Sequence, residues 1–181
     1  GVVGIHASLL PTLRGQAPLN WSIILNHKKT GATLFKMNKG IDSGDIVDQK
    51  EIIINLEDDI DSIKNRIKKI SIKLISDNIL EILSGTAKMR KQSKVGTYGC
   101  ARIPDDGKIN WNKTSLEIYN LIRASEKNYP AFTFLENKKL FIMKAKFIKN
   151  SEKYYGIPGQ VGMTYKDGSV LIITGDGIIK I

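Results

Sequence analysis

The chain has 181 residues, 41% hydrophobic and 25% charged, which suits a soluble protein of one domain or two small ones with a real core. No apolar run approaches a membrane span, the N-terminus lacks the basic-then-apolar layout of a secretory signal, and one cysteine, Cys100, excludes a disulfide framework and a Cys-based zinc site. The net charge of +10 permits a polyanionic partner, but residues 1–100 hold 15 basic and 10 acidic side chains and residues 101–181 hold 13 and 8, so the charge is spread evenly and no basic tail marks a footprint.

Val2 to Ile5 reads as a short strand ending at His6. A loop follows through Pro11 to Gly15. Pro18 suits the first turn of a helix running to about His27, which Thr30-Gly31 ends. Thr33 to Met37 and Ile46 to Ile54 read as strands around a two-glycine loop, 39–45. Asp58 to Leu83 is the clearest helix: Ile60, Ile63, Ile67, Ile70, Leu74, Ile79 and Ile82 recur at mostly three- and four-residue spacing, and Gly85 ends it. Residues 86–98 are polar and aperiodic and read as a linker. Asp105-Asp106-Gly107 reads as a turn, and Thr114 to Ala124 as a short helix with a capping-box spacing from Thr114 to Glu117. Strand candidates at 132–135, 139–147, 160–165, 169–174 and 178–181, separated by turn signals, predict a small barrel. The chain divides near residue 95 into an α/β part and a mostly β part.

Few residues carry chemistry by type alone. His6 sits at a strand end, where open α/β sheets place ligands, and an imidazole there can act as a general base. Asp42 and Asp45, in Gly40-Ile41-Asp42-Ser43-Gly44-Asp45, can orient a histidine or serve as ordinary turn residues. A metal reading finds no His or Cys ligands nearby in sequence, so no metal is expected. Ser8 lacks the Gly-x-Ser-x-Gly elbow of a hydrolase nucleophile.

The combination is more specific than its parts. His6-Ala7-Ser8-Leu9-Leu10-Pro11, Arg14-Gly15, Ala17-Pro18, Asn20-Trp21, Thr30-Gly31, Thr33, Met37 and Gly40-Ile41-Asp42-Ser43-Gly44-Asp45-Ile46 closely resemble the folate-dependent formyltransferases. That family includes methionyl-tRNA formyltransferase and the N-formyltransferases of nucleotide-linked amino sugars. Arg102 to Trp111, Ile122-Arg123-Ala124, Tyr129 to Thr133, Lys138-Lys139-Leu140 and Gly175-Asp176-Gly177 resemble the family's C-terminal domain, so the likeness covers essentially the whole chain.

The resemblance implies the C-terminal part of a Rossmann-like formyltransferase domain (1–95) followed by a small OB-like β-barrel domain (96–181). It implies a cytoplasmic enzyme, with no membrane attachment, moving a formyl group from 10-formyltetrahydrofolate to a primary amine. His6 and Asp42 match the family's catalytic histidine and aspartate. Ser8, Leu9, Leu10, Pro11, Asp42, Gly44 and Asp45 fall on its folate-binding segments, and Arg14 and Gly15 on its substrate-binding ones. Two departures stand out. The family asparagine falls on Gly4, and losing one oxyanion donor costs about 2.7–4 kcal/mol of transition-state stabilisation. A long stretch that precedes the catalytic strand in the family is missing, so the chain reads as a truncation with an open apolar surface. The acceptor divides between initiator methionyl-tRNA, which the charge and the OB-like end suit, and a nucleotide-linked amino sugar, which Asn20-Trp21 and the 123–133 stretch resemble. The alternative is a catalytically degenerate homologue acting as an RNA-binding module, motivated by Gly4 and the Tyr154-Tyr155 pair beside Lys153.

Overall fold

The computed structural model describes residues 1–149 and 152–181. Contacts divide the chain into two units: Gly1–Ser22 with His27–Arg102, and Ile103–Ile181 with Ile23–Asn26.

In the first unit, β1 (Val3–His6), β3 (Lys29–Lys36) and β4 (Ile46–Ile53) form a sheet in the order β1-β3-β4. Both pairings are antiparallel. The 37–45 loop is too short for a crossover helix, so β4 returns antiparallel beside β3. Register sets His6 opposite Thr33, and Thr33 opposite Gln49. The two-residue strands β2 (Arg14–Gly15) and β5 (Tyr98–Gly99) pair in parallel.

Helix α1 spans Pro18–Ile24, shorter than the sequence predicts. Asn26 adopts φ 55, a left-handed conformation that stops the helix before His27. Helix α2 spans Ile60–Ser84, capped by the Asp59 side chain on the Ser62 N–H and ended by Gly85 at φ 76. Ile60, Ile63, Ile67 and Leu74 of the expected stripe are buried, whereas Ile79 is 36% exposed. The later half of α2 instead faces a cavity of about 260 Å³ lined by Val3, Gly4, Ile5, Leu34, Ile75, Ile79 and Ile82. β1 is the sheet edge on that side.

In the second unit, a 3-10 turn (Pro104–Gly107) leads to helix α3 (Ser115–Arg123), which carries the expected capping box. Strands β6 (Ala131–Leu135) and β7 (Lys138–Ile142) form a hairpin. Glu136 and Asn137, both at positive φ, make its turn. A separate antiparallel sheet runs β8-β11-β10-β9, from β8 (Lys146–Phe147), β9 (Val161–Thr164), β10 (Val170–Ile173) and β11 (Ile178–Lys180). The single strand predicted over 139–147 is thus two strands in two sheets. No pairing among the described residues closes either sheet into a ring, so the expected barrel is not closed by hydrogen bonds. The core here gathers Ile109, Ile118, Ile122, Ala131, Ile172 and Ile179.

Candidate functional site

The site forms where β1 ends. His6 is buried, and its Nε2 lies 2.7 Å from the Leu13 carbonyl oxygen, which can only accept. Its Nδ1 lies 3.4 Å from Asp42 Oδ2. Both partners are acceptors, so the ring bonds both only as the imidazolium; the neutral ring serves one at a time. The same carboxylate oxygen accepts the Gly15 N–H at 2.7 Å. Residues 36 positions apart in sequence thereby meet at one carboxylate.

Two devices bring the Asp42 loop to His6. Asp42 holds φ 46, a left-handed conformation that Asp tolerates better than most residues. Gly44 packs so closely on the end of β3 that a Cβ there would sit 1.7 Å from the Lys36 carbonyl oxygen. The Lys36 N–H donates to the Asp45 carbonyl at 2.8 Å, closing the loop.

The 8–13 loop is fixed from beneath. The Thr33 hydroxyl donates to the Ser8 carbonyl at 2.6 Å and accepts the Leu10 N–H at 3.1 Å. Gln49 Nε2 donates to Thr33 Oγ1 and to the Leu10 carbonyl. Ser8 Oγ donates to the Thr12 carbonyl, and the Leu10 side chain is buried with Phe35 and Ile46. Among the residues expected to meet folate, Ser8 and Leu10 therefore turn their side chains inward, while Leu9, Pro11, Asp42 and Asp45 stay partly open. Gly4 is on the His6 side of β1, two residues earlier.

Arg14 is 4% exposed. Its guanidinium donates to Gln92 Oε1 and to the Ser93 carbonyl, and packs over the Tyr98 ring. No motif or periodicity in the sequence marks this layer. The segment read as a linker is strapped to the site loops: Leu13 N–H donates to Thr97 Oγ1, Arg14 N–H to the Thr97 carbonyl, and Thr97 N–H to the Pro11 carbonyl. Arg90 pairs with Ile46 through both backbone bonds, and its guanidinium donates to Gln49 Oε1. Gln92 reaches the Asp42 loop, donating to the Asp42 and Gly44 carbonyls. Only the polarity of residues 86–98 hinted at these bonds.

Among the described residues, no group of three or more His, Cys, Asp or Glu could hold a metal ion, and no helix is long and apolar enough to cross a membrane. Tyr154 packs against Gly162, and Tyr155 is 90% exposed, so the two rings are not presented together.

The model of the formyl transferase family matches residues 1–79, and that of the formyl transferase C-terminal domain matches residues 103–181. The chain belongs to the formyl transferase family. It is 33% identical over its full length to a methionyl-tRNA formyltransferase of Thermodesulfovibrio yellowstonii and covers 57% of that protein. An N-formyltransferase from Helicobacter canadensis, solved with folinic acid and dTDP-3-aminofucose, superposes with a TM-score of 0.79 at 27% identity, covering 99% of this chain and 65% of that one. The sugar 3N-formyl transferase WlaRD, solved in the presence of dTDP and 5-N-formyl-THF, gives a TM-score of 0.78 at 27% identity, covering 99% of this chain and 64% of that one. The chain thus spans a little over half the length of the curated formyltransferase that it matches from end to end. These relatives lend the RNA-binding alternative no support.

Proposed function

We propose that this chain carries the proton-handling pair of an N-formyltransferase that uses 10-formyltetrahydrofolate and a primary amine. The observation behind this reading is the His6–Asp42 contact of 3.4 Å at the end of β1, with the Gly15 N–H holding the same carboxylate oxygen. Formyl transfer between two nitrogens needs no covalent nucleophile; it needs a proton taken from the attacking nitrogen and one given to the departing nitrogen. A carboxylate-buttressed imidazole fits that need, and Cys100, the chain's one thiol, is exposed. Folate supplies the activated formyl carbon.

Asp42 orients the ring through Nδ1, and Nε2 is the atom that takes the proton. That step requires Nε2 to exchange the Leu13 carbonyl for substrate. The acceptor nitrogen adds to the formyl carbon, pushing the C=O pair onto oxygen to give a tetrahedral oxyanion, which collapses by re-forming the C=O and breaking the bond to the carrier nitrogen. The proton held at Nε2 then passes to the carrier nitrogen. Leu9, Pro11 and the Asp42–Asp45 loop face the folate, with Ser8, Leu10 and Gly44 shaping the backbone around it. Arg14 and Gly15 frame the acceptor side through the strand they form. Residues 1–95 then make the Rossmann-like catalytic part and residues 96–181 an OB-like partner, in a cytoplasmic enzyme. Methionyl-tRNA and dTDP-linked amino sugars are the two acceptor classes that the relatives support.

The test is substitution in the intact protein. His6→Ala and Asp42→Asn should each lower formyl transfer at least tenfold, since positioned acid–base groups contribute about 10²–10⁴ in rate. Wild-type rates in both variants would sink the mechanism.

A further inference from the structure

We infer that Gln92 is a positioning residue for the His6–Asp42 pair. The inference rests on the formyl-transfer reading and adds a side chain that lies between the two family-matched spans, 1–79 and 103–181.

Asp42 is held at φ 46, a conformation that needs its surroundings to fix it. Gln92 supplies that fixing. Its Nε2 donates one N–H to the Asp42 carbonyl at 2.8 Å and the other to the Gly44 carbonyl at 2.7 Å. Its Oε1 accepts from Arg14 Nε at 3.2 Å and Nη2 at 2.8 Å. The orientation of the amide is forced by chemistry. Turned over, it would set N–H against the N–H groups of Arg14 and oxygen against two carbonyl oxygens.

Arg14 is a firm anchor for this brace. It is buried, and the Ser93 carbonyl at 3.0 Å and the Tyr98 ring hold its far side. The next residue, Gly15, donates its N–H to Asp42 Oδ2 at 2.7 Å. The Asp42 loop is therefore tied to β2 twice: by the Gly15 N–H at the carboxylate, and by Arg14 through Gln92 at the backbone. Together the two ties leave Oδ2 aimed at His6 Nδ1. Without the backbone tie, the carboxylate turns with its loop and the imidazole loses its orienting partner.

Two variants separate this role from simple stability. Gln92→Met keeps the length and loses every polar bond. Gln92→Glu keeps an acceptor for Arg14 but sets a carboxylate against the Asp42 and Gly44 carbonyls. In the intact protein, both should lower kcat about tenfold to a hundredfold, as small misplacements of reacting groups do. The folate KM should rise less than kcat falls, because Leu9 and Pro11 still face the folate while only the Asp42–Asp45 loop shifts. The NMR resonance of the Gly15 amide proton should move upfield in both variants as its bond to Oδ2 lengthens. Thermal melting run alongside corrects kcat for folded fraction. Wild-type kcat per folded molecule in either variant overturns the inference, and so does an unmoved Gly15 resonance. Asp42→Asn, measured in parallel, tells the two failures apart. If it transfers formyl groups at the wild-type rate, the His–Asp mechanism fails, while the Gly15 resonance still reports whether Gln92 places the carboxylate.

Discussion

Replacing Thr33 by valine keeps the side-chain volume and removes one hydroxyl from beneath the site loop. Thr33 is fully buried and sits opposite His6 in the ladder. Its hydroxyl donates to the Ser8 carbonyl at 2.6 Å and accepts from the Leu10 N–H at 3.1 Å and Gln49 Nε2 at 2.7 Å. Three net hydrogen bonds at about 0.5–1.5 kcal/mol each give roughly 3 kcal/mol. The estimate is a lower one for the loop itself, since the Leu10 N–H has no replacement partner in a valine core. For a unit of this size that loss lowers the melting temperature by roughly 12–24 °C, at about 4–8 °C per kcal/mol. Trp21 and Trp111 are the only tryptophans, one in each unit. Fluorescence-monitored melting in a Trp111→Phe background therefore follows the first unit alone. A Thr33→Val shift under about 3 °C would refute the assignment of these bonds as the loop's support.

Gly4→Asn should leave stability unchanged or raised and formyl transfer equal or faster. A Cβ there meets only side-chain atoms, at 3.4 Å from Met37 Sδ and 3.6 Å from Phe35 Cε1, so a large loss of rate would contradict the reading of Gly4 as a missing donor. The second unit should weaken in acid. The Thr114 hydroxyl and N–H, with Lys113, hold the Glu117 carboxyl down at about 2, from an ordinary 4.5. At Asp176 burial pushes the carboxyl up, but bonds from Ser115 and Thr174 outweigh it and leave it below 3.8. Both groups thus contribute stability in full above these ordinary values and lose it as pH falls through the depressed ones. Urea midpoints read by Trp111 fluorescence should drop over that window, and less so in Asp176→Asn; an identical acid drop in that variant would count against the Asp176 anchor.

What the sequence made legible was local in pattern or borne by a motif. In the first half of the α2 stripe, Ile60, Ile63, Ile67 and Leu74 are buried as their spacing predicts, and the Gly85 stop, the Thr114–Glu117 box and the Glu136-Asn137 turn each lie within a few residues and form as predicted. The His6–Asp42 approach came from the motif match, not from spacing. What escaped was long-range. The 139–147 run has continuous strand character, but whether Lys146 pairs with β7 or β11 depends on register with Lys180, 34 positions on. For the same reason the strand spacing predicts a barrel that no pairing among the described residues closes. The 86–98 segment escaped because its contacts are polar side chains and backbone groups reaching loops up to 84 residues away, as from Thr97 to Leu13. Such bonds leave no periodicity. The motif position of Arg14 implies a substrate-binding role, while its guanidinium is buried against Gln92, Ser93 and Tyr98.

The most direct measurement is formyl transfer by the intact protein from 10-formyltetrahydrofolate, with methionyl-tRNA and a dTDP-linked amino sugar as parallel acceptors. The account predicts a formylated amine from one of them, with release of tetrahydrofolate and loss of both products in His6→Ala. Transfer to neither acceptor, or transfer that survives that substitution at full rate, would contradict it.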